Sequence, residues 1–252
     1  MAGYGSYISA ICIDGNTMYV GTEHVTGAID QTKIYASTKN SNGVWSTPVP
    51  VIDMAGYGER ITALYIDGRV MYIGTTLSNK NDQADIYKST KNSKGGWSVP
   101  KLALDVSDCG DHVSAICIDG DTMYIGTEFN TDKQPQTRIY KSIRNRKGAW
   151  SARVPIIDIA NCGMFIGAIC IDGDAMYIGT YVTPTYVFQT NIYVSTRGAN
   201  DTWSVPVVVP PLNTSSYGMA IGAICIDGNT MYVGTVHDAS DAEQTRIYAL
   251  TI

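Results

Sequence analysis

Apolar and turn-forming residues follow one another in a pattern that returns five times along this chain. Its first copy contains a short apolar run, "AICI" at residues 10–13, then Asp-Gly, then a second apolar run, "MYVGT" at 18–22. Glycine accepts a positive φ at little cost, so Asp-Gly between two apolar runs is a strong hairpin signal. The stretch "ICIDGNTMYVGT" therefore predicts two antiparallel strands joined by a tight turn.

The copies are evenly spaced. The Asp of the turn recurs every 52 to 55 residues, at Asp14, Asp67, Asp119, Asp172 and Asp227. The first hairpin supplies strands A and B. It is followed by a variable loop, then by "KIYAST" as strand C, the turn "KNSNG" and "VWSTPV" as strand D. Each full unit therefore predicts four strands, A to D. No segment has a 3.6-residue apolar period, and no helix is predicted. Five such units predict an all-β, five-bladed β-propeller. It forms one domain over 1–252, with repeats at approximately 4–56, 57–109, 110–162, 163–216 and 217–252.

The fifth repeat is shorter than the others. Strand D is marked by a tryptophan in four repeats, at Trp45, Trp97, Trp150 and Trp203, but the chain ends at "RIYALTI", after strand C. Nineteen strands are therefore predicted, with a three-stranded last blade. Unpaired strand edges are templates for pairing. The edge near Tyr248 thus predicts a homo-oligomer contact unless it is shielded.

Composition and charge narrow the function. The chain has 25 Gly and 17 Tyr, a composition typical of β-rich proteins. Its net charge of −5 argues against the basic surface that nucleic-acid binding requires. No apolar run approaches about 18 residues, so no membrane span is predicted. The first residues resemble no secretion signal, and a cytoplasmic or otherwise reducing compartment is expected.

The cysteines agree with a reducing compartment. Cys12, Cys117, Cys170 and Cys225 share one repeat position, which Tyr65 occupies in the second repeat. A strand position that accepts either Cys or Tyr indicates packing rather than a disulfide framework. Neighbouring blades lie about 10 Å apart, too far for a disulfide, so these residues are predicted to be thiols. The same spacing argues against a Cys109–Cys162 bridge.

Three segments carry a family resemblance: "IYASTKNSNGVWS", "IYKSTKNSKGGWS" and "IYVSTRGANDTWS". They resemble degenerate Asp-box (BNR) hairpins, the motif of sialidase-like and photosystem II assembly-factor propellers. The Asp of the motif is absent, and Asn40, Asn92 and Asn145 lie nearby. In blade count the chain is similar to tachylectin-2-type lectins.

A sialidase-like propeller would imply glycan hydrolysis, yet the sequence has no convergent arginine cluster, and its repeated Asp residues fall in turns. A hydrolytic pair needs two differently tuned acids about 5 to 9.5 Å apart. No nucleotide-binding or metalloprotease motif occurs, and neither cofactor, metal site nor catalytic residue is predicted.

Candidate ligand contacts lie on the face formed by the B–C loops and D–A connections, which carries nearly all the sequence variation. A side-chain amide both donates and accepts, which suits sugar hydroxyls, and tyrosine rings suit sugar stacking. The alternatives are loop bracing for the amides and inter-blade packing for the rings. The predicted contacts are Gln31, Gln83, Gln136, Gln189 and Gln244, with Tyr4, Tyr57 and Tyr217.

The rim of the central channel is the one asymmetric place. It combines Glu59, Arg60, Asp111 and His112 with apolar residues in later blades. A solvated salt-bridge cluster is the alternative to a binding site there.

Repetition decides the leading functional hypothesis. Several weak, equivalent sites on one rigid face gain avidity on a multivalent glycan or glycoprotein, whereas catalysis needs different residues that converge on one atom. The sequence therefore favours a non-enzymatic, lectin-like propeller. A protein-interaction scaffold is the alternative, and a glycoside hydrolase that uses the channel rim ranks third.

Overall fold

The structure is a computed structural model, and it describes residues 7–23, 32–58, 60–76, 84–110, 112–128, 137–159, 165–181, 191–209, 220–236 and 247–252. These residues form nineteen strands and one short 3-10 turn, Ala199–Asp201. The predicted all-β class and the count of nineteen strands are confirmed.

The strands form five antiparallel blades in chain order, and the last blade has three strands, as predicted. The first blade contains β1 (Tyr7–Asp14), β2 (Thr17–Glu23), β3 (Lys33–Thr38) and β4 (Val49–Asp53); the second β5 (Ile61–Asp67), β6 (Val70–Thr75), β7 (Asp85–Thr90) and β8 (Lys101–Asp105); the third β9 (His112–Asp119), β10 (Thr122–Glu128), β11 (Arg138–Ile143) and β12 (Val154–Asp158). The fourth contains β13 (Phe165–Asp172), β14 (Ala175–Tyr181), β15 (Ile192–Thr196) and β16 (Val207–Val208); the fifth β17 (Ala220–Asp227), β18 (Thr230–Val236) and β19 (Ile247–Thr251).

The repeated Asp-Gly pairs make the predicted inner hairpins. In the first blade Asp14 pairs with Thr17, which leaves Gly15 and Asn16 as a two-residue turn. Gly15 has a φ of 55°, a conformation that favours glycine, and the equivalent glycines of the other blades lie within a few degrees of it. The repeated motif therefore builds the blades.

The apolar core lies between blades rather than inside one. The inner strands pack in succession, β1 on β5, β5 on β9, β9 on β13 and β13 on β17. One core cluster contains Tyr19 and Ile34 of the first blade together with Ile61, Met71 and Ile73 of the second. Each blade thus buries its apolar face on its neighbour.

Ion pairs link the blades at the A–B turns. Arg144, which follows β11, donates to Asp67 of the preceding blade at 2.5 Å and to Asp121 of its own blade at 3.1 Å. Arg197 repeats this contact one blade later, on Asp119 at 2.5 Å. The repeated Asp residues are therefore turn residues, and two of them also anchor the next blade.

The cysteines have no disulfide partner in the described part of the chain. The thiols of Cys12, Cys109, Cys117, Cys170 and Cys225 are free, while Cys162 lies outside the described residues. Burial raises the pKa of the Cys117 thiol to about 12 and that of Cys170 to about 11, so both stay protonated and unreactive. No helix among the described residues is long and apolar enough to cross a membrane.

Strand β19 forms the outer edge of the last blade, as expected. Its burial alternates between exposed and half-buried positions along Ile247–Thr251. The predicted homo-oligomer contact at this edge near Tyr248 has no support in the structure.

Candidate active site

Most of the ligand contacts predicted from the sequence lie outside the described residues. These are the five loop glutamines, two of the tyrosines and both rim carboxylates: Gln31, Gln83, Gln136, Gln189, Gln244, Tyr4, Tyr217, Glu59 and Asp111. Tyr57, Arg60 and His112 are described.

The described rim residues lie at the same end of neighbouring blades. Arg60 precedes β5, and its carbonyl accepts a hydrogen bond from the Thr76 amide at 3.2 Å. Thr76 in turn forms an isolated bridge with His112, the first residue of β9. A backbone link between the second and third blades therefore brings the two rim positions together.

Tyr57 takes part in packing and also lies beside polar groups. Its ring meets that of Tyr87 edge-on, with centroids 5.1 Å apart and an interplanar angle of 77°. Both rings pack against the core cluster between the first two blades and are half-buried. The hydroxyl of Tyr87 donates to Oδ2 of Asp85 at 3.2 Å.

Asp85 faces a second carboxylate across the sheet. It is the first residue of β7 and pairs directly with Asp105, the last residue of β8. Directly opposed residues point to the same face of a sheet, with Cβ atoms about 4.5–5.5 Å apart. The two carboxyl groups therefore form a pair at the end of the second blade where strand C begins and strand D ends.

The first and third blades place a cation where the second has Asp85. Lys33 pairs with Asp53 in the first blade, and Arg138 pairs with Asp158 in the third. The Arg138 and Asp158 side chains approach to 3.8 Å. Like charges directly opposed in a sheet are destabilising, so the second blade has two carboxyl groups where the first and third blades oppose groups of opposite charge.

The surroundings of Asp85 favour its neutral form. Burial raises the pKa of Asp85, and the nearby Asp105 charge raises it further, against hydrogen bonds from Tyr87 and the Val106 backbone. Its Oδ1 atom is buried and has no hydrogen-bond partner among the described residues. The same burial, together with the Asp85 charge, raises the pKa of Tyr87 to about 12. The Tyr87 hydroxyl therefore stays protonated and can donate.

The surroundings of Asp105 favour its charged form. Oδ1 accepts from the Ser107 amide at 2.9 Å and from the Ser107 hydroxyl at 2.6 Å. These hydrogen bonds lower the pKa of Asp105, and the positive charge of Arg153 lowers it further. Arg153 is held near by an ion pair with Asp108 and by a 2.7 Å contact from Nε to the Cys109 sulfur.

Two adjacent acids with pKa values displaced in opposite directions can divide the roles of acid and base. Asp85 is suited to hold a proton, and Asp105 to remain a carboxylate. Asp105 is exposed and Asp85 is half-buried, so solvent reaches the pair. Tyr87 borders the pair through its hydrogen bond to Asp85, and its ring meets that of Tyr57.

This pair was not predicted from the sequence. The predicted carboxylates were the repeated Asp residues of the turns and the rim residues Glu59 and Asp111, and Asp85 belongs to neither set. The usable signal was the C–D pairing register, in which Lys33 and Arg138 face an Asp while position 85 carries an Asp itself.

The other repeated polar and aromatic residues have structural roles. Three tryptophans meet a tyrosine of the preceding blade edge-on, at 5.6 Å for Trp97 on Tyr19 and at 5.7 Å for the next two blades. In the C–D turn, Oδ1 of Asn92 accepts from the amides of Lys94 and Gly96. The described residues contain no cluster of three His, Cys, Asp or Glu side chains suited to a metal ion.

Comparison with solved structures confirms the propeller fold. The chain is similar to the endo-arabinase from Bacteroides thetaiotaomicron VPI-5482, with a TM-score of 0.61 and 13% identity over 98% of this chain and 95% of that one. Native Bacillus subtilis arabinanase matches with a TM-score of 0.59 and 10% identity over the same shares. A GH43 β-xylosidase/α-arabinofuranosidase from a compost microbial metagenome matches with a TM-score of 0.56 and 11% identity over 96% of this chain and 89% of that one.

No family model matches the chain, and no curated protein matches it. The Asp-box assignment thus has no support beyond the three segments that suggested it, whereas the five-bladed fold is established.

The comparisons overturn the leading functional hypothesis. The sequence favoured a non-enzymatic, lectin-like protein, but these solved structures with the same fold are glycoside hydrolases. The prediction of a lectin and the leaning against an enzyme are therefore wrong. The inference failed because repeated blades were taken to mean repeated sites, whereas one blade can carry a site that the others lack.

Proposed function

We propose that this chain is a glycoside hydrolase and that the Asp85–Asp105 pair carries the reaction. The observation behind the proposal is that two directly opposed carboxyl groups, with pKa values displaced in opposite directions, stand where the first and third blades oppose a cation to an Asp. Fold similarity to arabinanases and to a xylosidase/arabinofuranosidase supports glycans containing arabinose or xylose as substrates.

Asp85 acts as the general acid. Burial raises the pKa of its carboxyl group, which favours the protonated form, and the Tyr87 hydroxyl donates to Oδ2. The proton passes to the glycosidic oxygen as the bond between that oxygen and the anomeric carbon breaks. General acid catalysis of this kind contributes about 10²- to 10⁴-fold in rate.

Asp105 acts on the other side of the bond. Ser107 occupies its Oδ1, and Oδ2 attacks the anomeric carbon to form a glycosyl ester, which water then hydrolyses. A separation of about 5–5.5 Å between carboxyl groups is typical of retaining enzymes, and inverting enzymes need about 6.5–9.5 Å. The opposed register of the two strands favours the retaining geometry.

Two of the sequence-predicted contacts can be related to this pair. Gln83 precedes Asp85 by two residues in the chain, and the Tyr57 ring meets that of Tyr87, which donates to Asp85. We propose that Gln83 contacts sugar hydroxyls and that the Tyr57 ring stacks on a sugar face. The remaining loop glutamines, with Tyr4 and Tyr217, are proposed to contact further sugar units of a long substrate.

Turnover of arabinan, xylan and aryl pentosides tests the proposal. Asp85→Asn and Asp105→Asn are each expected to lower kcat/KM by about 10²- to 10⁴-fold. Asp158→Asn is the matched control, because Asp158 occupies the Asp105 position of the third blade and is expected to leave turnover near that of the wild type. The kcat/KM profile is expected to be bell-shaped, with the ascending limb set by Asp105 and the descending limb by Asp85.

The rim offers the competing location. Loss of turnover in Glu59→Gln and Asp111→Asn, with Asp85→Asn and Asp105→Asn unaffected, would move the reaction to the channel rim. Absence of turnover on every glycan tested would overturn the assignment as a glycoside hydrolase.

A further inference from the structure

The second blade opposes two lysines across its outer strands. Lys88 of β7 pairs directly with Lys101 of β8. Directly opposed residues share one face of the sheet with Cβ atoms about 4.5–5.5 Å apart, and like charges in such a pair are destabilising. The same pair in the other four-stranded blades contains at most one charged residue: Ala36–Val49, Lys141–Val154 and Val194–Val207. The second blade therefore concentrates positive charge at a position where the others do not.

Both lysines lie on the face of the second blade that meets the third blade. Side chains alternate between the two faces of a strand, and Ile86, two residues before Lys88, is fully buried in a core cluster shared with the third blade. On the inner side Lys88 is opposed to Tyr72, whose ring meets that of Trp150 edge-on at 5.7 Å. Trp150 closes the C–D turn of the third blade. The lysine pair is therefore directed toward that turn.

The C–D turn of the third blade adds two further cations. Arg146 and Lys147 are exposed in this turn. At the next interface the equivalent lysine is neutralised, because Lys141 donates to Oδ2 of Asp201 in the turn of the fourth blade at 2.5 Å. Gly148 stands at the Asp201 position of the third blade. The lysine pair of the second blade therefore meets a basic turn where the next interface supplies a carboxylate.

These four cations, which we name the basic patch, are not neutralised within the described part of the chain. No ion pair with another described residue is formed by Lys88, Lys101, Arg146 or Lys147. Lys101 is exposed and Lys88 is half-buried, so a partner can reach both. The chain as a whole has a net charge of −5. A local excess of positive charge on an acidic protein marks a surface where an anionic partner would relieve the repulsion.

We infer that the basic patch binds an anionic glycan whose sugars carry carboxylate groups. The charges of the patch come from two strands and from a neighbouring turn, a spread that fits groups repeated along a polymer rather than one small anion. Lysine and arginine both donate to carboxylates, and arginine can do so with two parallel hydrogen bonds. Duplex DNA fits less well, because its one negative charge per about 1.7 Å is repelled by the acidic remainder of the chain.

The choice of a glycan over other anions rests on the proposed function. Asp85 and Tyr87 lie on the opposite face of the second blade, beside the first blade, so one polymer can meet the basic patch and the Asp85–Asp105 pair at different places. Two contacts on one polymer raise its effective affinity. Binding to the patch involves no bond cleavage, so it can be measured separately from turnover.

Titration of the full chain with oligogalacturonate at low ionic strength tests the inference. Binding is expected, and it weakens as salt is added, since the contacts join solvent-exposed charges. Lys88→Glu and Lys101→Glu are each expected to weaken binding by about tenfold or more. Lys39→Glu is the matched control, because it makes the same change in net charge in the C–D turn of the first blade. Its affinity is expected to stay within about twofold of the wild type.

Thermal unfolding separates lost binding from lost folding. Lys101→Glu turns a repulsive pair into an attractive one, so its Tm is expected to equal or exceed that of the wild type while its binding falls. Unchanged binding in both Glu variants, or equal binding of a neutral arabinan, would overturn the inference. Tighter binding of duplex DNA would overturn it in favour of a nucleic-acid partner. Absence of turnover with oligogalacturonate binding intact would remove the proposed function and leave the patch, and turnover without this binding would do the reverse.

Discussion

At the scale of a single residue, Asp85 shows how one substitution in a repeat changes chemistry. The equivalent positions of the first and third blades hold Lys33 and Arg138, each opposed to an Asp. The second blade keeps the opposed Asp105 but replaces the cation, and burial then raises the pKa of Asp85. A half-buried acid opposed to a second carboxyl group on a solvent-accessible face is a feature of many active sites.

The stability of the protein is expected to depend on pH through Asp85. Because the pKa of Asp85 is raised in the folded state, the folded chain holds a proton that the unfolded chain releases. The stability therefore falls as the pH rises from the unfolded-state pKa to the folded-state pKa. Asp85→Asn removes this loss and is expected to raise the Tm at pH 7 but not at pH 3. Thermal unfolding from pH 3 to 7 measures the difference.

Asp105→Asn provides the contrast of opposite sign. The pKa of Asp105 is lowered in the folded state. Its contribution to stability is therefore present above the unfolded-state pKa and is lost as the pH falls through the folded-state pKa. This variant is expected to lower the Tm at pH 7 and to match the wild type at low pH. A parallel response of the two variants would contradict the assigned shifts.

At the scale of the element, the C–D turns share an asparagine that accepts hydrogen bonds from the turn backbone. Oδ1 of Asn92 accepts from the Lys94 amide at 2.9 Å and from the Gly96 amide at 3.0 Å. Asn40 and Asn145 do the same in their own turns. An acceptor oxygen is what this turn requires, and either Asn or Asp supplies one.

Asn92→Ala is expected to destabilise the protein by about 0.5–1.5 kcal/mol, because two turn amides lose their acceptor. Asn92→Asp keeps the oxygen and is expected to remain close to the wild type. Urea unfolding of the two variants measures the difference. Equal losses in both would show that the turn does not depend on the acceptor.

The inner hairpins were predictable because their signal is local, whereas the candidate site was not. Asp14, Gly15 and Thr17 lie within four residues, and the φ preference of glycine determines their conformation. The Asp85–Asp105 contact joins residues 20 positions apart, beside a register shift between Ile86 and Tyr87. Spacing along the chain does not reveal which residue faces which across such a bulge.

At the scale of the whole molecule, blade count and strand count followed from the period of the repeat, but the packing between blades did not. The sequence shows similar apolar residues in every repeat. Which of them become buried depends on the blade that packs against each one, as β5 packs on β1, and the period does not show these contacts.

Blade-to-blade packing is expected to be least tolerant at the strand B glycines. A Cβ at Gly21 would lie 2.7 Å from Ile61 Cγ2 and 3.2 Å from Ile61 Cβ, so the second blade would have to shift. Gly21→Ala is therefore expected to destabilise the protein by about 1–3 kcal/mol. The control is Gly198→Ala in a C–D turn, where the nearest atom is the Thr202 hydroxyl at 3.4 Å. Urea unfolding of both variants measures the contrast, and an equal effect would mean that the interface absorbs the methyl group.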